Sequence, residues 1–116
     1  MIPKTVVQMV RALNDKKAVD IQLLDMREIV YYTDYLLICT ATSSTHADAL
    51  ADNVEEGVQD DLKLLYRNPS KDNSWLILDF GDVILHVFSG SARLFYDLEQ
   101  LWGDAKRVDL SKIISD

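Results

Sequence analysis

The 116-residue sequence predicts an α/β (α+β) fold, one domain spanning 1–116 with a mixed β-sheet of about five strands and about three helices. Three observations predict it. Apolar residues recur with a helical period in three stretches, aromatic and β-branched residues gather in short runs between them, and the composition, 48% hydrophobic and 27% charged, is ordinarily globular. A chain of this size buries roughly two-thirds of the surface its unfolded form exposes, so its core needs no metal or disulfide.

From Thr5 to Lys17, Val6, Val10 and Leu13 recur at helical spacing and Val7 and Met9 widen the stripe, so the first helix lies on a core. Ile21, Leu23 and Leu24 form a short run ending at Asp25, and Asp34 to Thr42 is rich in aromatic and β-branched residues. Both read as strands, with Arg27 to Thr33 as their connection. The tyrosines of that connection, Tyr31 and Tyr32, suggest that it is partly packed.

Ser43 or Ser44 caps the second helix, because a hydroxyl there accepts a bond from an unpaired N–H of the first turn. Ala47, Leu50, Ala51, Val54, Val58 and Leu62 keep to one face of it, and Asp48, Asp52, Glu55, Glu56, Asp60 and Asp61 to the other. Gly57 interrupts it at about 1 kcal/mol relative to Ala. Lys63 to Arg67 fits either its last turn or a third strand, and Asn68 to Asn73 is a loop.

Trp75 to Leu78 and Val83 to Phe88 flank the bend Asp79-Phe80-Gly81-Asp82, a hairpin with both strands largely covered and Gly81 free to take positive φ. Ser89-Gly90-Ser91 leads into a third helix carrying Phe95, Leu98, Leu101 and Trp102 on one face, with Gly103 placed to end it. Val108 to Leu110 then adds an edge strand or frays.

Charge narrows the function classes. Twelve basic residues against 19 acidic give a net charge of −7, which disfavours direct nucleic-acid binding and favours a basic protein partner. No stretch approaches the roughly 18 apolar residues of a membrane span, and the N-terminus lacks a secretory h-region. Cys39, the single cysteine, lies in an apolar run and reads as a buried, inert thiol. The expectation is a cytoplasmic protein without membrane partners.

The candidate chemistry is sparse. His46, at the start of the second helix, reads as a surface histidine before a neutral base; His86, in a strand beside Ile84 and Phe88, reads as a hydrogen-bonded imidazole. Asp34, Asp79 and Asp82 could converge on magnesium, but turn chemistry alone explains aspartates beside Gly81. One cysteine with two histidines cannot fill a structural zinc site, and no phosphate-loop, dinucleotide or metalloprotease motif occurs. The expectation is therefore no enzyme: no catalytic residues, no metal and no cofactor. Trp75, Asp79, Phe80 and Asp82 instead combine aromatic anchors with negative charge around one hairpin, as a surface for a basic partner would. Periodicity alone leaves open whether Trp75 and Phe80 are core.

Asp34-Tyr35-Leu36-Leu37-Ile38-Cys39-Thr40, then Ser43-Ser44 with His46, then Ala51-Asp52-Asn53-Val54-Glu55-Glu56 resembles the ribosomal silencing factor (Iojap-related) family. The stretch Trp75 to Phe88 is similar to that family's W-x-x-x-D-x-G-D-V-x-x-H core, and Ala92-Arg93, Tyr96 to Glu99 and Leu101 to Ala105 continue the match. The resemblance covers about residues 5 to 110. Ala41 departs from it, standing where the family usually has glycine.

What the resemblance implies is a nucleotidyltransferase-like topology without that activity. It implies binding to the large ribosomal subunit through its ribosomal protein fourteen, blocking small-subunit joining and lowering translation when nutrients are scarce. It also implies a role in large-subunit assembly for some members, and a possible homodimer. The contact falls on Trp75, Asp79, Phe80 and Asp82, with Gly81 shaping the bend.

Overall fold

The computed structural model describes residues 2–69 and 71–114. The elements run α1 (Lys4–Asp15), β1 (Val19–Asp25), β2 (Tyr35–Ala41), α2 (Ser44–Val58), β3 (Tyr66–Arg67), β4 (Trp75–Asp79), β5 (Val83–Ser89), α3 (Gly90–Tyr96), α4 (Leu98–Leu101) and β6 (Lys106–Arg107). The strands form one sheet of six in the order β3-β4-β5-β2-β1-β6. Only β2 and β5 pair in parallel, and the other pairings are antiparallel. This central pair is covered on both faces, which is why Leu36-Leu37-Ile38-Cys39 and Leu85-His86-Val87-Phe88 are unbroken buried runs.

Strand alternation divides the core in two. On one face Leu23, Leu37, Cys39, Leu76, Leu78, Leu85 and Val87 meet the apolar stripes of α1 and α2. On the other, Leu24, Leu36, Ile38 and Phe88 meet Ala92 of α3, with Leu98 and Trp102 against them. The hydroxyl of Ser43, not Ser44, caps α2 by accepting the His46 N–H at 3.0 Å. Cys39 is fully buried, and burial pushes its thiol up to about 12, so it is inert at neutral pH.

Several details differ from expectation. Tyr31 is fully exposed and Tyr32 half-exposed, because the 27–33 connection closes on the Met26 carbonyl through the Ile29 and Val30 N–H groups and leaves both rings outside. The expected third helix breaks in two. Asp97 adopts φ 44, its side chain caps α4 through the Gln100 N–H, and the change of axis leaves Phe95 80% and Leu101 66% exposed. Lys63 to Arg67 ends in a two-residue strand, so Leu62 lies past the end of α2. The C-terminal edge strand forms at Lys106–Arg107, just before the expected run, and the Val108 N–H bonds the Leu23 carbonyl beyond it.

Arg93 clamps this broken helical segment to the sheet. Its guanidinium donates to both carboxylate oxygens of Glu99 (3.1 Å each), to the Asp20 carbonyl (2.7 Å) and to the Thr40 hydroxyl (2.9 Å). One buried side chain thereby joins α3, α4's Glu99, β1 and β2.

Gly81 sits at φ 86, and a Cβ there would lie 3.4 Å from Leu65 Cδ1. The Asp79 carboxylate accepts the Gly81 N–H at 2.8 Å, which sets the bend between β4 and β5. Gly81→Ala is expected to cost about 1 kcal/mol, because a Cβ penalises the left-handed region. A lowered urea midpoint with unchanged m-value would show it; an unchanged midpoint would mean that the bend adapts.

Candidate docking face

The side chains of β4 alternate, so Leu76 and Leu78 enter the helix-covered core while Trp75, Ile77 and Asp79 stand half-buried on the opposite face. The register sets Trp75 against Phe88, Ile77 against His86, and Asp79 between Ile84 and Tyr66. Since α3 and Trp102 cover this face over β1, β2 and the end of β5, the β3-β4 side stays open. Tyr66 there is 53% exposed.

Phe80 lies elsewhere. Only 3% exposed, it follows Leu76 and Leu78 in the two-residue period and packs in the core under α1 and α2. Its N–H bonds the Val83 carbonyl at 2.9 Å, tucking the ring beneath the bend. The expectation that Phe80 belongs to an exposed contact is corrected: it supports the hairpin from below. The hairpin is also less covered than expected, because its outer strand shows every second residue.

Trp75 anchors an aromatic group. Its ring centroid lies 4.4 Å from Tyr96, 5.0 Å from Phe88 and 5.9 Å from His86. The indole N–H donates to His86 Nδ1 at 2.9 Å, which fixes the neutral imidazole tautomer with its proton on Nε2. Asp82, exposed, extends the polar end of the hairpin, and its carbonyl accepts the N–H groups of Asp34 and Tyr35 at 3.0 and 3.1 Å.

Burial pushes the His86 imidazole down from the usual 6.5 to about 4. Between those values the unfolded chain binds the extra proton, so stability is lost as pH falls from about 6.5 towards 4. From about pH 7.5 to pH 5.5 the expected loss through His86 is about 1.3 kcal/mol. His86→Asn removes this part of the slope while His46 remains in both proteins. Urea unfolding at the two pH values checks it, and equal slopes would contradict the burial account.

The other candidates are structural. His46 Nδ1 accepts the Thr42 N–H at 2.9 Å and Nε2–H donates to the Lys16 carbonyl at 2.7 Å, so the ring clips the end of α1 to the start of α2. This is neither a free base nor an idle surface histidine, because both ring nitrogens are engaged. Asp79 is committed to the turn, and among the described residues no three His, Cys, Asp or Glu side chains gather as metal ligands. Sequence reasoning left Tyr66, Ile77 and Tyr96 out of the site. Alternation through Trp75 and Asp79 would have found Ile77; Tyr66 and Tyr96 need the pairing of β3 and the packing of α3.

Fold and face together define a small α/β protein with a half-open aromatic sheet surface. Residues 1–116 match the family model described as "Ribosomal silencing factor during starvation". The chain is 36% identical over 107 residues to ribosomal silencing factor RsfS of Halalkalibacterium halodurans, covering 91% of this chain and 92% of that protein. It is likewise 36% identical over 104 residues to the chloroplastic protein Iojap of Zea mays, covering 90% of this chain but only 46% of the plant protein. A crystal structure of a Chromobacterium violaceum protein superposes with a TM-score of 0.83 at 28% identity, covering 89% of this chain and 87% of that one. The chain belongs to the ribosomal silencing factor family.

Proposed function

We propose that this protein binds the large ribosomal subunit through its ribosomal protein fourteen and blocks the small subunit from joining. Trp75 at the start of β4, with Asp79 at its other end, Asp82 beyond the bend and Gly81 shaping it, makes the contact. What carries this reading is the half-open face of β4, with the Trp75 ring at one end and the Asp79 carboxylate at the other, in a member of a silencing family. Such a surface suits a basic protein: the aromatic ring supplies desolvated area and the acids supply complementary charge. The net charge of −7 speeds approach to that protein while discouraging adsorption to RNA.

Occlusion requires no bond-breaking chemistry. A protein seated where the other subunit must dock lowers the joined fraction according to its affinity and concentration. Co-sedimentation with isolated large and small subunits at low and moderate salt tests the reading. Retention on large subunits alone is expected, and no retention at either salt would refute it. Removing ribosomal protein fourteen from the large subunits should abolish retention, and unchanged retention would move the contact elsewhere.

A further inference from the structure

We propose that His86 is a positioning residue of the docking face: its Nδ1 holds the Trp75 indole N–H and thereby fixes the ring in the orientation the partner meets. The inference rests on the docking reading above and goes beyond it in naming what sets the geometry of the anchor.

A half-buried tryptophan at the start of a strand near the sheet edge has freedom to swing about its side-chain torsions. Three contacts restrict this one. Phe88 lies directly opposite in the antiparallel register, Tyr96 leans over from α3 with its ring centroid 4.4 Å away, and His86 receives the indole N–H. The aromatic contacts, tilted by 30° to Phe88 and 43° to Tyr96, hold the ring in place but are tolerant of sliding and of a flip that reverses the indole's edge. The hydrogen bond is directional, so it selects one ring placement among those that stacking allows.

His86 is itself held firmly. It is 8% exposed, sits on a strand paired along both edges, and its ring stacks on Phe88 at an interplanar angle of 12°. An acceptor mounted on the interior of the sheet is thus offered to an anchor mounted near its edge. Remaining neutral at physiological pH keeps Nδ1 an acceptor, and burial ensures that neutrality. An imidazole in the middle of an otherwise apolar strand is expensive to accommodate, and the bond to Trp75 accounts for its presence there.

The test compares His86→Leu with His86→Asn, whose side-chain oxygen can occupy the position of Nδ1. Binding to large subunits and the Trp75 indole N–H resonance are both read, the latter assigned with Trp102→Phe. His86→Leu is expected to weaken binding about five- to tenfold, the size of one hydrogen bond, and to shift the indole resonance. His86→Asn restores most of both. In a Trp75→Phe background, which has no indole N–H, His86→Leu should change affinity no further; a purely structural role would lower it in both backgrounds. Wild-type retention with an unaffected His86→Leu variant overturns this inference alone. Failure of the wild type to bind at all refutes the docking reading, and the inference with it.

Discussion

Phe80→Ala is expected to destabilise the protein by about 3–4 kcal/mol, the cost of removing a buried aromatic ring and leaving a cavity. The side chain is 3% exposed and packs with Leu76, Leu78 and Val83 in the core under α1 and α2. Any loss of ribosome binding should therefore follow the loss of folded protein. Chemical denaturation with binding measured well below the unfolding transition separates the two effects. A stable variant that nonetheless fails to bind would return Phe80 to the contact surface.

Trp75→Ala should behave in the opposite way. It is expected to weaken binding to the large subunit by about 2 kcal/mol or more, roughly thirtyfold, through loss of the central aromatic anchor. The fold should persist, because Trp75 lies half-buried on the open face of an outer strand whose core side chains, Leu76 and Leu78, remain. Far-ultraviolet circular dichroism and a urea titration establish folding, and titration of the variant against large subunits measures the affinity. Full affinity in a folded variant would place the contact away from this face.

The contrast between these neighbours shows what was legible in the sequence. The first two helices were readable because their apolar residues follow one local period, as in Val6, Val10 and Leu13 or Leu50, Val54 and Val58, and the four longer strands because they are short apolar runs; the two-residue strands β3 and β6 carry neither signal. Phe80 was misplaced because a turn residue carries no strand assignment, although the two-residue period from Leu76 continues through it. The third helix was misread because Phe95, Leu98, Leu101 and Trp102 share a face only if the axis stays straight. Asp97 breaks that axis by a left-handed backbone conformation and caps a new turn, an outcome set by a single residue.

The candidate face was legible along β4 and not at its margins. Trp75, Asp79 and Asp82 are candidates from one contiguous stretch, whereas Tyr66 meets Asp79 and Tyr96 meets Trp75 only through long-range pairing and packing. His86 was correctly read as a hydrogen-bonded imidazole, but its partner was not visible, because the bond joins neighbouring strands through a diagonal contact. The same holds for His46, whose clip to Lys16 spans 30 residues of sequence.

If the Trp75 face seats the protein where the small subunit must dock, subunit joining responds to it. Large subunits are first incubated with wild type or with folded Trp75→Ala, small subunits are added, and joined ribosomes are followed by light scattering and on sucrose gradients. Wild type should lower the joined fraction in proportion to its occupancy, and Trp75→Ala should do so only at concentrations raised roughly thirtyfold. Undiminished joining with wild type already bound to the large subunit would contradict the account.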